Sequence, residues 1–103
     1  MSQSNQKSST EIMYSDDDII ISLEYIFSSE IYIVHTKVFK WSLSKYKKYV
    51  LEFANILNTL KLRGIEEVFT IPPTDKIEKW QRLFGFIDSG YRPKGYKLMV
   101  IKT

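Results

Sequence analysis

LKLRGIEEVFTIPP, residues 60–73, holds a helix end, a turn and a strand in one short span. A periodic apolar segment runs into it. Gly64 follows that segment directly, and glycine takes the left-handed conformation that closes a helix. Residues 65–71 are rich in β-branched and aromatic side chains, which favours a strand. Pro72 and Pro73 then stop it, because proline donates no hydrogen bond to a sheet ladder. A helix feeding a strand through so tight a turn must lay its apolar stripe on the sheet that the strand enters.

Upstream, Tyr46, Val50, Phe53, Leu57 and Leu60 recur at steps of four, three, four and three, flanked by Tyr49, Ala54 and Ile56. This predicts a helix over residues 44–63 with one broad apolar face, capped by Ser42 or Ser44. Before it, Ile19, Ile21, Leu23, Tyr25 and Phe27 alternate with Ile20, Ser22, Glu24 and Ile26, the period of a strand. Residues 28–30 make a turn, and a second strand covers 31–35 with room to extend to 38, so the pair is a β-hairpin. Residues 11–14 form a short edge strand. Asp16, Asp17 and Asp18 sit in a turn and lack the spacing of a calcium loop. Residues 1–10 carry no apolar anchor and are expected as a mobile tail, leaving 11–103 as a single domain.

Downstream, Asp75 with Glu78 has the spacing of a capping box. It opens a helix with Ile77, Trp80, Leu83 and Phe84 on its inner face, ended by Gly85. Strands follow at 86–89 and 96–102, around a turn containing Pro93 and Gly95. The expected fold is α/β (α+β), a central mixed sheet with two helices, in the order strand, strand, helix, strand, helix, strand, strand.

The chain has 103 residues, 44% of them hydrophobic, enough for one core. It has no cysteine, which removes disulfides, zinc-thiolate sites and thiol nucleophiles, and its single histidine, His35, is too few for a histidine-rich metal site. No metal is expected. No apolar run reaches the length of a membrane helix. The polar first eighteen residues are unlike a secretory signal, so the expected location is cytoplasmic, without a membrane partner. Charge is uneven: residues 1–36 hold one base and six acids, net −5, whereas 37–103 hold fourteen bases and six acids, net +8. A surface of that kind attracts anions. Lys45, Lys47 and Lys48 fall in the first turn of the long helix, with Lys40 just before it. Exposed cations there oppose the helix dipole, at about 0.3–1 kcal/mol each. A bound anion would reverse the sign. The expected partner at the N-terminus of helix 44–63 is therefore an anionic ligand, nucleic acid or acidic protein, and the alternative is a solvated lysine cluster. Trp41 and Tyr46, interleaved with these lysines, have the composition of a base-stacking surface or of core packing under the helix. A free sheet edge also allows a homo-oligomer.

The element order, the LKLRGIEEVFTI stretch, and DKIEKWQRLFGF at 75–86 together resemble a GNAT-type acetyltransferase of reduced form. In that family a helix ends at a glycine, a strand follows, and a second helix closes on an aromatic-or-Leu, Gly, Phe signature. Here it is Leu83-Phe84-Gly85-Phe86, continued by Ile87-Asp88-Ser89-Gly90. The resemblance covers residues 19–103, and within the family it is most similar to small acetyltransferase-like proteins of tailed phages. It implies acetyl-CoA bound where two parallel strands splay, with the pyrophosphate on the start of the following helix. The cofactor-binding positions it implies are Lys40, Ser44, Lys45, Lys47 and Lys48. The family's glycine-rich loop there falls on 44–49, where Lys47 and Tyr49 take the glycine positions. Its usual tyrosine acid, four residues before the signature glycine, falls on Gln81. The implied activity is acyl transfer from acetyl-CoA to an amine. The alternative is an inactive scaffold acting as a phage accessory or virion protein, binding a host protein, nucleic acid or other virion proteins. His35, at the end of the second strand, and Glu24, mid-strand, are the candidate catalytic bases. Each is also consistent with an ordinary strand residue facing solvent or a backbone partner.

Overall fold

The computed structural model describes residues 7–40 and 42–103. Strands β1 (Ser8–Ser15), β2 (Ile19–Ile26) and β3 (Ile31–Val38) come first. A 3-10 turn, Leu43–Lys45, leads into α1 (Tyr46–Leu62). β4 (Glu67–Thr70), α2 (Asp75–Leu83), β5 (Ile87–Asp88) and β6 (Met99–Lys102) complete the chain. The six strands form one sheet in the order β1-β2-β3-β4-β6-β5. β3 and β4 are parallel, and every other pair is antiparallel. The expected class, a mixed sheet with two helices, holds.

The edge strand expected at 11–14 is longer than expected. β1 begins at Ser8, where residues 8–10 had been expected in a tail, because Ser8, Ser9 and Thr10 pair with Ile26, Tyr25 and Glu24 of β2. Residues 1–6 of that tail lie outside the described residues. Met13 and Tyr14 of β1 pack against the core, whereas polar residues 8–10 gain their order from the ladder, a term that hydropathy does not register.

α1 covers one sheet face. Ile19, Ile21 and Leu23 of β2, with Val34, Val68 and Met99, meet Tyr49, Phe53, Ile56 and Leu60 of the helix. The buried stripe is thus 49, 53, 56 and 60; Tyr46, Val50 and Leu57 are only half-buried. The stripe is turned toward Tyr49 and Ile56, which were expected at its flank, because packing on the sheet selects the buried face. Neither Ser42 nor Ser44 caps it; their hydroxyls bond each other at 3.2 Å. Gly64, at φ +86°, closes it as expected. On the other sheet face Ile33, Phe69 and Leu98 form a smaller cluster, with Ile26, Ile31 and Val100 around it.

α2 starts at its expected residue, but Thr74 is the cap: its hydroxyl accepts from Ile77 N at 3.2 Å. Glu78 instead receives Lys97 at 2.9 Å and Arg82 at 2.8 Å. Of the expected inner face of α2 only Phe84 reaches the core, edge-on to Phe53 with ring centroids 5.6 Å apart. Leu83 is 62% exposed and Ile77 39%, while Trp80 and Phe84 are half-buried. No residue of this helix is fully buried.

Candidate functional site

β3 and β4 share one bridging pair, Ile33 with Phe69. One residue beyond it, the Thr70 hydroxyl donates to Val34 O at 2.9 Å and ties the two strands once more. After Thr70 the chain turns off at Ile71-Pro72-Pro73, whereas β3 runs on to Val38 alongside β2. The parallel pair therefore parts at its C-terminal end. A proline pair ending β4 early is the local cause.

A cavity of about 490 Å³ opens where the strands part. Its floor is Ile21, Val34 and Phe86, all within the core. One wall is Tyr49 and Phe53 of α1; the other is Ile77, Trp80 and Phe84 of α2. The apolar face of α2 lines this space without filling it. Polar groups are few: His35, Thr36, Thr70, Lys76 and Gln81, with no carboxylate among the lining residues. The volume lies within the range of small-ligand sites, and the mix of apolar wall and sparse polar groups is typical of them.

Gln81 and Thr70 are orientated by one another. Thr70 spends its only hydroxyl proton on Val34 O, so it can only accept from Gln81, whose Nε2 lies 3.4 Å away. The other amide atom, Gln81 Oε1, is buried without a hydrogen-bond partner among the described residues. Burial pushes the Tyr49 phenol above its ordinary range, so it stays protonated.

The two candidate bases are brought together. Glu24 Oε1 lies 2.8 Å from His35 Nε2, and Ser8 Oγ donates to Glu24 Oε2 at 2.5 Å. The Ser8 hydroxyl, then the His35 ring, hold the Glu24 carboxyl below its ordinary range. Glu24 is therefore an acceptor, which assigns the Nε2 proton to His35 and leaves Nδ1 of the neutral ring as a base. His35 belongs to the sheet face opposite α1, and it also lines the cavity where β3 leaves β4. Ser8 bonds the carboxylate and not the ring, so the three do not make a nucleophile triad. The Glu24–His35 contact follows from the hairpin register: the turn sets Ile26 opposite Ile31, which puts Glu24 diagonal to His35. Ser8 was missed because its strand was expected to begin only at residue 11.

The cofactor-binding candidates divide. Lys45 bonds the Asp18 carboxylate, and Lys48 lies 3.2 Å from Asp16. Asp16 also accepts from the Tyr14 hydroxyl at 2.8 Å and from the backbone N–H groups of Asp18 and Ile19. The Tyr14 hydroxyl first, then Lys48 and the Ile19 amide, keep its carboxyl below the ordinary range. These aspartates, read from sequence as a solvated turn, pin the β1–β2 turn to the start of α1 and neutralise two of its cations. Lys40 and Lys47 form no ion pair among the described residues, and neither does Lys76 in the first turn of α2. Ser44 is exposed and engaged only with Ser42. Trp41 lies outside the described residues. Both helices begin at the C-terminal edge of the parallel pair, so Lys40, Lys47 and Lys76 share the edge at which the cavity opens.

Among the described residues no group of His, Asp and Glu has the makings of a metal site, and no helix is long and apolar enough to cross a membrane. Compared with known proteins, the chain matches no family model, no curated protein and no solved structure.

Proposed function

We propose that the protein is a reduced GNAT-like domain that binds an acyl thioester of coenzyme A in the cleft between β3, β4 and α2 and passes the acyl group to an amine. The observation that carries this reading is the parting of the one parallel strand pair among the described residues, with an apolar cavity opening in the gap and both helix starts beside it. The apolar walls fit the acyl group of such a ligand. Lys40, Lys47 and Lys76 would hold its phosphates, in place of Lys45 and Lys48, which Asp18 and Asp16 occupy. When bound, the thioester supplies an activated acyl carbon. α2 keeps water from it, and the amine approaches from the opposite sheet face, where His35 stands. Held by Glu24 through Nε2, His35 takes the amine proton at Nδ1. Positioning is the main contribution of the cleft.

One observation favours a second, non-catalytic reading. Gln81 stands where the resemblance expects a phenolic acid, and an amide yields no proton to a leaving thiolate. The scaffold would then bind without turnover, as an accessory or virion protein would.

Thermal unfolding with acetyl-CoA tests the binding step. A ligand at one hundred times its Kd stabilises by about 2.7 kcal/mol. Absence of any shift at millimolar ligand removes the reading. A shift without acyl transfer to any amine leaves the binding role and removes the enzyme.

A further inference from the structure

The cavity is long, dry-walled and far larger than an acetyl group needs. Val34 and Val38 both line it, four residues apart on β3. At about 3.3 Å per residue that is a run of roughly 13 Å, near the extended length of a ten-carbon chain. The groups along that run are mostly apolar: Ile19 and Ile21 beneath, Phe53 on the α1 side, Ile77 and Trp80 on the α2 side. Its polar groups are few: Thr70 is bonded to Val34 O, His35 to Glu24, Lys76 starts α2, and Thr36 and the Gln81 amide face the space between them. A half-open, largely apolar trough with a cation that forms no ion pair among the described residues, and no carboxylate along it, is complementary to an aliphatic tail ending in an anionic or thioester head.

We infer that the cavity takes an acyl chain of about six to ten carbons, running along β3 under α2 with its head toward Lys76. This deepens the thioester reading and rests on it only for the identity of the head group. The tail covers Ile77 and Trp80, the part of the helix's apolar face that does not reach the core. The same chain chemistry could arrive as a free fatty acid or as a coenzyme A thioester.

Titration of the full chain with acetyl-, hexanoyl- and decanoyl-CoA, and with decanoate alone, separates these sources, with Trp80 fluorescence read in a Trp41→Phe background. Affinity should rise with chain length, up to about four-fold per methylene, until the trough is full. Ile77→Asp, at an exposed helix position, should abolish the dependence of affinity on chain length, with circular dichroism confirming the fold. Thioesters that bind equally well at every length overturn the inference and leave the thioester reading intact. Binding of decanoate with no thioester bound supports the trough and removes coenzyme A as the head. No binding of any of the four overturns both.

Discussion

Replacing Thr70 by valine tests whether the parting of β3 and β4 is pinned by one hydroxyl. Thr70 is 7% exposed, and its Oγ1 is the hub between Val34 O at 2.9 Å and Gln81 Nε2 at 3.4 Å. Valine fills the same volume and has the same branching at Cβ, so packing and strand preference are nearly conserved. What is lost is one good hydrogen bond and one weak one, with a buried amide left without its acceptor. That should cost about 1–2 kcal/mol. For a domain of this size each kilocalorie lowers Tm by about 4–8 °C. Thr70→Ser is the control: it keeps the hydroxyl and removes one methyl, worth about 0.8 kcal/mol. Urea and thermal unfolding of both variants should rank wild type above serine and serine above valine, with the urea dependence unchanged. Valine matching the wild type, or serine falling below valine, would refute the pin and leave Pro72-Pro73 alone as the cause of the gap.

Three further outcomes follow from particular contacts. Gly85→Ala places a Cβ 2.9 Å from Ile101 Cδ1 at a backbone φ of +109°, so it should lower stability by about 1–2 kcal/mol, read as a drop in urea midpoint. Unchanged stability would show that the α2 end relaxes freely. Acid should unfold the protein. Lys97 and Arg82 hold the Glu78 carboxyl below its ordinary range, Arg92 and the Gly90 amide do so for Asp88, and Arg63 for Glu11. Groups depressed in the folded state stabilise it above their unfolded pKa values, near 4, and that stabilisation is lost as pH falls below them. Tm should therefore be level at neutral pH and fall below about pH 4; a Tm that rises there would contradict these pairs. Lys45→Gln and Asp18→Asn should each destabilise, and the double variant should fall short of their sum by a coupling of about 0.5–1 kcal/mol. Strict additivity would mean that the β1–β2 turn is held by its backbone bonds alone.

Much of this architecture was legible from local chemistry. Gly64 after a helical stripe and Pro72-Pro73 after a β-branched run set the α1–β4 unit, and alternation from Ile19 set which face of β2 meets α1. What escaped had non-local causes. Lys45 and Lys48 read as an unpaired cluster because their partners, Asp18 and Asp16, lie about thirty positions earlier and meet them only once the hairpin folds back. The α1 stripe was misjudged because Tyr49 and Ile56, expected at its flank, are residues the sheet packs against. Thr74 was passed over for Asp75 because both are good caps and only backbone geometry separates them: Thr74 is extended, at φ −144° and ψ 163°. Glu24 and His35 were named separately, although hairpin register was enough to join them. The cavity itself left one trace, an apolar helix face. Periodicity reports that such a face needs cover, and it does not say whether protein or ligand supplies it.

The loose seating of α2 also bears on how the chain comes apart. With no fully buried residue, this helix is held by its Thr74 cap, the long Gln81–Thr70 bond, the Lys97–Glu78 pair and the ring contacts of Trp80 and Phe84 with Tyr46 and Phe53. A helix so largely exposed opens below the free energy of global unfolding. Lys76, Lys79 and Arg82 place trypsin cleavage points along that same segment. Limited digestion should nick the chain there first, while the β1–β2–β3 meander under α1 stays whole, and whatever fills the trough should slow the cut.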